Sequence, residues 1–168
     1  MPVSTALYLQ LMYASQALIC CYGGFQSVNA VTNLQTYEKT SEKLAEWSQT
    51  AKDHLTKTRT TQTAGAVAVL LSLTTSLTLA AAPQYLPHWL RMTLSPLLLV
   101  TVLGARGYIK NYWNPSDKKD GATKVPPLPN LEQYNEAQKW TDDLLQTLEY
   151  MEYGWVATSF VAGMVGSR

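Results

Sequence analysis

Charged and apolar residues are separated into long blocks along the chain, and one apolar block lies at 64–82, AGAVAVLLSLTTSLTLAAA. It contains no charged residue, and a helix of its length measures about 28 Å, close to the roughly 30 Å core of a bilayer. Pro83 and Pro87 then predict the end of the helix. Tyr85 and Trp89 lie where aromatic rings favour the lipid–water interface. The block predicts a membrane-spanning helix; the alternative is a buried helix of a soluble protein.

Three further blocks are also apolar and almost free of charged residues. Met1–Tyr37 contains no charged residue, a later block carries arginines only near its ends, and the last is rich in glycine and alanine. The sequence predicts four spans and two polar segments, with the spans at about 5–29, 63–82, 89–109 and 152–167 and the polar segments at 30–62 and 110–151. Gln10, Gln16 and Gln26 make the first span the most polar, which predicts that one of its sides faces protein.

Each polar segment is predicted to contain an amphipathic helix. The first has an apolar stripe at helical spacing, formed by Tyr37, Leu44, Trp47, Ala51 and Leu55. The second has a similar stripe, which includes Trp140 and Leu144. The predicted fold is all-α: an integral membrane four-helix bundle with two amphipathic cytoplasmic helical extensions, forming a single membrane domain over residues 1–168.

The distribution of charge predicts the orientation. Of the thirteen Lys and Arg residues, eleven lie in the polar segments or at the adjoining end of the third span, and only Arg91 and Arg168 lie opposite. Because positive charge marks cytoplasmic loops, both polar segments are predicted to be cytoplasmic. A net charge of +1 without a basic cluster argues against nucleic-acid binding. With no targeting motif in the chain, the endoplasmic reticulum is the default location.

Candidate chemistry depends on isolated polar residues, because the sequence has no pattern for a metal site, a phosphate-binding loop or an activated nucleophile. No metal or cofactor is expected. His54 is a candidate general base beside Asp53, since histidine titrates near neutral pH; the alternative is a solvated histidine on a helix surface. Trp47 and Trp140 are candidates to stack on a flat aromatic substrate; the alternative is a position at the lipid boundary.

Three charged residues lie near the ends of predicted spans. Glu149 and Glu152 lie where the second amphipathic helix enters the last span. An acid at that depth is costly unless it is paired or faces a wet cavity, so both are functional candidates; the alternative is that they lie in water. Arg106 lies near the end of the third span, where its long side chain can extend toward the lipid headgroups.

The chain resembles the fungal anthrone oxygenase-like membrane proteins in the order of its spans and in two stretches, LAEWSQTAKDHL with Trp47 and AQKWTDDLL with Trp140. After the second tryptophan those proteins usually carry Asn and Arg, whereas this chain has Leu145 and Thr147. The resemblance implies a cofactor-independent monooxygenase acting on a hydrophobic aromatic, polyketide-type substrate. In that hypothesis His54 removes an acidic proton and the carbanion reacts with oxygen.

Two other functions remain open. VLGARGYIKNYW, with Arg106 and Tyr108, resembles the small four-span membrane glutathione transferases. The non-enzymatic alternative is a membrane scaffold whose amphipathic helices bind a protein partner, so that the stripes at Trp47 and Trp140 form an interface instead of a pocket. The predicted partners are the lipid bilayer, a hydrophobic small molecule and a protein, with no nucleic acid.

Overall fold

The computed structural model of the chain describes residues 3–45, 49–113 and 131–166, with side chains described for 7–35, 56–113 and 136–164. Four helices account for most of these residues: α1 (Val3–Ala45), α2 (Gln49–Ala81), α3 (His88–Trp113) and α4 (Leu131–Gly166). A single 3₁₀ turn, Pro83–Tyr85, lies between α2 and α3. The described residues contain no strand, which confirms the all-α prediction.

The four helices form a closed bundle. α1 packs against α2 and α4, and α3 packs against the same two helices. α1 and α4 run antiparallel, because Gln16 reaches Met151 while Gln26, later in α1, reaches the earlier Thr147. α1 and α3 are diagonal to each other, as are α2 and α4. Each helix therefore has two neighbours and one diagonal partner across the centre.

The described parts of the two polar segments lie at the same end of this bundle. Gln62 at the end of the first segment bonds Thr141 of the second, with a Nε2–Oγ1 distance of 2.7 Å. Thr58 and Tyr112, also from the two segments, lie with their hydroxyl oxygens 3.0 Å apart. We call this the polar end of the bundle. The side of the membrane that it faces stays a prediction.

The predicted single amphipathic helix in segment 30–62 is wrong. α1 continues from the predicted first span to Ala45, α2 begins at Gln49, and the two helices pack together. The apolar stripe is therefore divided between two helices and cannot form one continuous face. Trp47, at its centre, lies outside the described residues. The second extension is the first part of α4, which runs without a break into the predicted fourth span.

The end of the predicted second span lies where Pro83 and Pro87 predict it. α2 ends at Ala81, and α3 begins directly after Pro87, whose carbonyl accepts hydrogen bonds from the backbone N–H groups of Leu90 and Arg91. Tyr85 is 82% exposed in the connection and Trp89 is 66% exposed on the first turn of α3. Both rings are therefore free to contact the surroundings of the bundle.

The core between the helices contains apolar side chains, such as Leu79, Val102, Leu144 and Trp155, but the outer surface of the bundle is apolar as well. Large apolar side chains are exposed on every helix, including Leu7, Leu11, Leu18 and Val28 of α1, Val67, Leu70 and Leu77 of α2, Leu97, Val100 and Leu103 of α3, and Val156, Phe160 and Met164 of α4. Polar side chains are buried between the helices, including Gln16, Gln26, Gln62, Ser72, Ser76, Ser95, Thr141, Thr147, Glu152 and Thr158. Soluble monomers rarely expose apolar surface this continuously.

Among the described residues, two stretches are long and apolar enough to cross a membrane, Thr56–Ala81 and His88–Trp113. A core helix of a soluble protein can meet the same criterion, but it would be mostly buried. In the most apolar windows of these two stretches only 33% and 22% of the residues are buried. Their apolar character is therefore directed largely outward, away from the core of the protein.

Candidate functional site

Polar side chains join α1 to α4 inside the bundle. The buried Gln16 donates a hydrogen bond from Nε2 to the carbonyl of Met151, at 3.0 Å. About one helical turn nearer the polar end, Thr147 donates a hydrogen bond from Oγ1 to Oε1 of Gln26 at 2.6 Å. These bonds confirm the prediction that one side of the first span faces protein. In lipid such polar contacts favour helix association, because an unpaired amide in hydrocarbon is costly.

The diagonal helices α2 and α4 also meet through hydrogen bonds. In addition to the bond between Gln62 and Thr141, Trp155 donates from Nε1 to Oγ of Ser72 at 3.3 Å. The residue numbers rise together along both helices, so α2 and α4 are parallel. The other diagonal pair, α1 and α3, is joined by Tyr13 and Ser95, whose hydroxyl oxygens lie 3.3 Å apart. Hydrogen bonds therefore cross the apolar core of the bundle at several levels.

A charged cluster joins α3 to α4. Arg106 donates from one terminal nitrogen to Oε2 of Glu152 at 3.0 Å and from the other to Oε2 of Glu149 at 2.5 Å. Tyr153 donates its hydroxyl to the second oxygen of Glu149. Arg106 therefore pairs with two carboxylates of α4, a contact that the sequence did not predict. Both acids are therefore paired within the bundle, as was expected of acids at the start of a predicted span.

Glu152 is the most buried member of this cluster. Its side chain is 10% exposed, against 38% for Glu149, and its Oε1 atom is buried without a hydrogen-bond partner. The three side chains carry one positive and two negative formal charges. Arg106 therefore compensates the acids only in part, and removal of its charge would leave a buried carboxylate without a counterion.

A groove of about 780 Å³ lies between α1 and α4. Its walls include Leu18, Ile19 and Tyr22 from α1 and Asp143, Gln146 and Tyr150 from α4. Leu18 is 73% exposed and Tyr22 is 58% exposed, so the groove opens on the same surface as the outward apolar side chains. We call it the α1–α4 groove.

The groove changes from polar to apolar along its length. Asp143 and Gln146 lie toward the polar end of the bundle, together with the buried Gln26, whereas Leu18 and Gly154 lie toward the other end. From Asp143 to Gly154 the helix rises about 16 Å. Gln146 donates from Nε2 to the hydroxyl of Tyr150 at 3.2 Å, which positions the tyrosine beside the groove.

Negative charge is concentrated at the polar end of the groove. The Asp143 carboxylate forms no ion pair with the described part of the chain. The neighbouring Asp142 is exposed, but partial desolvation of its carboxyl, and next the adjacent charge of Asp143, raise its pKa above the usual value. Among the described residues that line the groove, none is positively charged. The polar end of the groove therefore offers a ligand hydrogen-bond acceptors and a negative charge.

The residues predicted from the sequence to carry chemistry are not gathered at this groove. Trp140 is half-buried and makes an edge contact with Phe25, with ring centroids 5.8 Å apart, next to the polar end of the groove. Asp53 and His54 belong to the helical backbone of α2, but their side chains lie outside the described residues. Trp47 also lies outside them. Only Trp140 can be placed near the groove.

The register of α2 separates His54 from the groove along the bundle axis. Gln62 lies level with Thr141 through their hydrogen bond, and α2 is parallel to α4. His54 precedes Gln62 by eight residues, while Asp143 follows Thr141 by two, so their backbones differ by about 15 Å in height. α2 supplies no described residue to the groove wall.

No protein family, curated protein or solved structure matches the chain. The resemblances to anthrone oxygenase-like proteins and to membrane glutathione transferases therefore remain expectations. Among the described residues, no three His, Cys, Asp or Glu side chains are grouped so that they could hold a metal ion.

Sequence reasoning missed the residues of the α1–α4 groove. Asp143, Gln146 and Tyr150 lie in the second polar segment, outside the apolar stripe that the sequence predicts there. Their spacing carries a signal, because 143, 146 and 150 recur at three and four residues and share one side of a helix. That side could be connected with Leu18 and Tyr22 only once the packing of α1 on α4 was known.

Proposed function

We propose that the chain is a multi-pass integral membrane protein in which all four helices cross the bilayer, and that it binds a hydrophobic amphiphile in the α1–α4 groove. The observation that carries the proposal is the apolar outer surface of all four helices, with hydrogen-bonded polar side chains placed between the helices among the residues of the apolar core. Such a surface would favour aggregation in water, whereas in a bilayer it contacts lipid chains and is not exposed to water. The buried polar groups then hold the helices together.

The dimensions of the apolar surface support spans for α1 and α3. Exposed apolar side chains extend from Leu7 to Val28 on α1, and from Trp89 to Tyr108 on α3. At about 1.5 Å per residue both distances are roughly 30 Å, the thickness of the hydrocarbon core. α1 therefore offers the bilayer the same apolar length as the more hydrophobic α3.

The direction of the polar side chains supports spans for α1 and α4, which are less apolar overall. The glutamines Gln16 and Gln26 of α1 face α4, and Glu152 of α4 faces Arg106. These groups lower the mean hydropathy of α1 and α4, although they contact protein and would not contact lipid. The lipid-facing side of α4 carries Val156 and Phe160 instead.

The groove has the size and position of an amphiphile site. Its volume of about 780 Å³ lies within the roughly 300–1,000 Å³ of small-molecule sites. Its apolar part is continuous with the outward surface around Leu18, so a hydrophobic molecule can enter from lipid. Its polar part, at Asp143 and Gln146, lies where a headgroup would meet water.

Cysteine labelling in sealed vesicles tests the four-span arrangement. In a background with Cys20 and Cys21 replaced by alanine, single cysteines are introduced as Gln84→Cys, Glu136→Cys and Ser167→Cys. We expect an impermeant thiol reagent to label the first and third from one face, and Glu136→Cys from the other. The measurement is the labelled fraction before and after the vesicles are opened.

Two outcomes contradict the arrangement. If only α2 and α3 crossed the bilayer, Ser167→Cys would be labelled from the same face as Glu136→Cys. If the protein were released into the soluble fraction by alkaline carbonate, membrane integration itself would be wrong.

The oxygenase remains a second candidate function, because Trp140 and Phe25 form an aromatic pair at the polar end of the groove. If His54 is the general base, we expect His54→Ala to lower turnover of an anthrone-like substrate in membranes by roughly 100-fold or more. Trp47→Ala should also lower turnover, through loss of stacking. The exposed Lys57, one turn along α2, supplies the control variant Lys57→Ala, which should keep wild-type turnover.

Turnover must be compared at equal amounts of inserted protein. Unchanged turnover in both His54→Ala and Trp47→Ala would contradict the proposed roles. No turnover by the wild-type protein across a panel of such substrates would leave a non-catalytic binding protein or scaffold as the better account.

A further inference from the structure

We propose that the α1–α4 groove selects a single-chain amphiphile with a cationic amine headgroup. The inference rests on the proposed function, because it requires that the groove open to lipid, and it adds the chemical class of the ligand. Three features of the groove support it: an uncompensated carboxylate, exposed tyrosine rings farther along the groove toward lipid, and the absence of positive charge from the described lining.

The carboxylate determines the sign of the headgroup. Asp143 lines the polar part of the groove and forms no ion pair with described residues. The nearby Gln146 uses its amide N–H on Tyr150, which leaves its carbonyl oxygen available as an acceptor. A primary ammonium group carries three donors and a positive charge, so it complements both acceptors.

Two tyrosines add a second attraction for a cation. Tyr22 and Tyr150 line the groove from opposite helices and are 58% and 52% exposed. The face of an aromatic ring attracts an ammonium group within about 6 Å, and the attraction increases where water is excluded. Tyr150 follows Asp143 by seven residues, and Tyr22 lies at about the same level as Tyr150, because Gln26 is level with Thr147 on the antiparallel helix. Both rings therefore lie about 10 Å from the level of Asp143, on the path that an ammonium group would take from lipid to the carboxylate.

The same lining disfavours phospholipids. A phosphate would lie against the Asp143 carboxylate, and the described lining offers no Lys or Arg to bind it. The length of the groove, about 16 Å from Asp143 to Gly154, suits one alkyl chain of moderate length. Leu18 and Ile19 supply the apolar wall for that chain.

Photoaffinity labelling in phosphatidylcholine vesicles tests the proposal. The probes are three dodecyl chains that carry the same diazirine and differ only in the headgroup: a primary amine, an alcohol and a carboxylate. We expect the amine to label peptides of α1 and α4 about five- to tenfold more than the carboxylate, as for a charge pair near a protein surface. High salt should reduce this preference.

Asp143→Asn is the decisive variant, and Asp142→Asn is its matched control. Asp142 is the exposed neighbour of Asp143 and does not line the groove. We expect Asp143→Asn to remove the preference for the amine while labelling by the alcohol is retained, and Asp142→Asn to keep the preference.

The possible failures are distinguishable. Equal labelling of the groove by all three probes would overturn the amine selectivity and leave amphiphile binding intact. Labelling of the groove by none of them would overturn the amphiphile site as well. An equal loss of preference in both Asp variants would show that bulk surface charge, and not the groove, attracts the amine.

Discussion

Replacement of Arg106 by methionine is expected to destabilise the bundle by about 2–3 kcal/mol. Methionine keeps the length and apolar stem of the side chain but removes the only described cation beside Glu149 and Glu152. Breaking a fully buried pair costs roughly 3–5 kcal/mol, and partial exposure of Arg106 and Glu149 lowers that figure. The measurement is the unfolding free energy of the purified protein in a mild detergent.

A second substitution separates charge from packing. In the Arg106→Met background, Glu152→Gln removes the buried charge that was left without a partner, and we expect it to restore part of the lost stability. Glu149→Gln, at the more exposed acid, should restore less. If Arg106→Met left the unfolding free energy unchanged, or if adding Glu152→Gln lowered it further, the ion pairs of Arg106 would not stabilise the packing of α3 on α4.

The arginine also shows which part of the structure could not be predicted from the sequence. The end of the second span follows from local features, since Pro83 and Pro87 prevent the helix from continuing. The direction of Arg106 depends instead on how α4 is rotated about its own axis. That rotation is set by packing between helices that are distant in the chain, and a composition pattern does not contain it.

The same reasoning explains the misassigned polar segment and the missed groove. The apolar spacing around Trp47 continues from one helix into the next, so periodicity alone did not reveal that α1 ends at Ala45. Leu18 and Asp143 form one groove although they are far apart in sequence. The glutamines of α1 were easier to interpret, because an amide in a charge-free helix requires a partner and so predicts a protein-facing side.

Replacement of Gly154 by alanine is expected to destabilise the packing of α1 on α4. A Cβ atom at this position would collide with the side-chain amide of Gln16. That amide is buried and donates its hydrogen bond to the carbonyl of Met151, so it cannot move aside without losing the bond. Loss of a buried hydrogen bond costs roughly 1–3 kcal/mol, whereas the better helix propensity of alanine returns at most about 1 kcal/mol.

Gly163 provides the matched control on the same helix. It is exposed, and a Cβ atom there would meet nothing within 4 Å. We expect Gly163→Ala to leave the unfolding free energy unchanged or to raise it slightly, while Gly154→Ala lowers it by about 1–2 kcal/mol. Adding Gln16→Ala to Gly154→Ala removes the collision, so the double variant should lose less stability than the two single losses combined. Additive losses would mean that Gly154 and Gln16 act independently, and would contradict the close approach of α1 and α4 at this level.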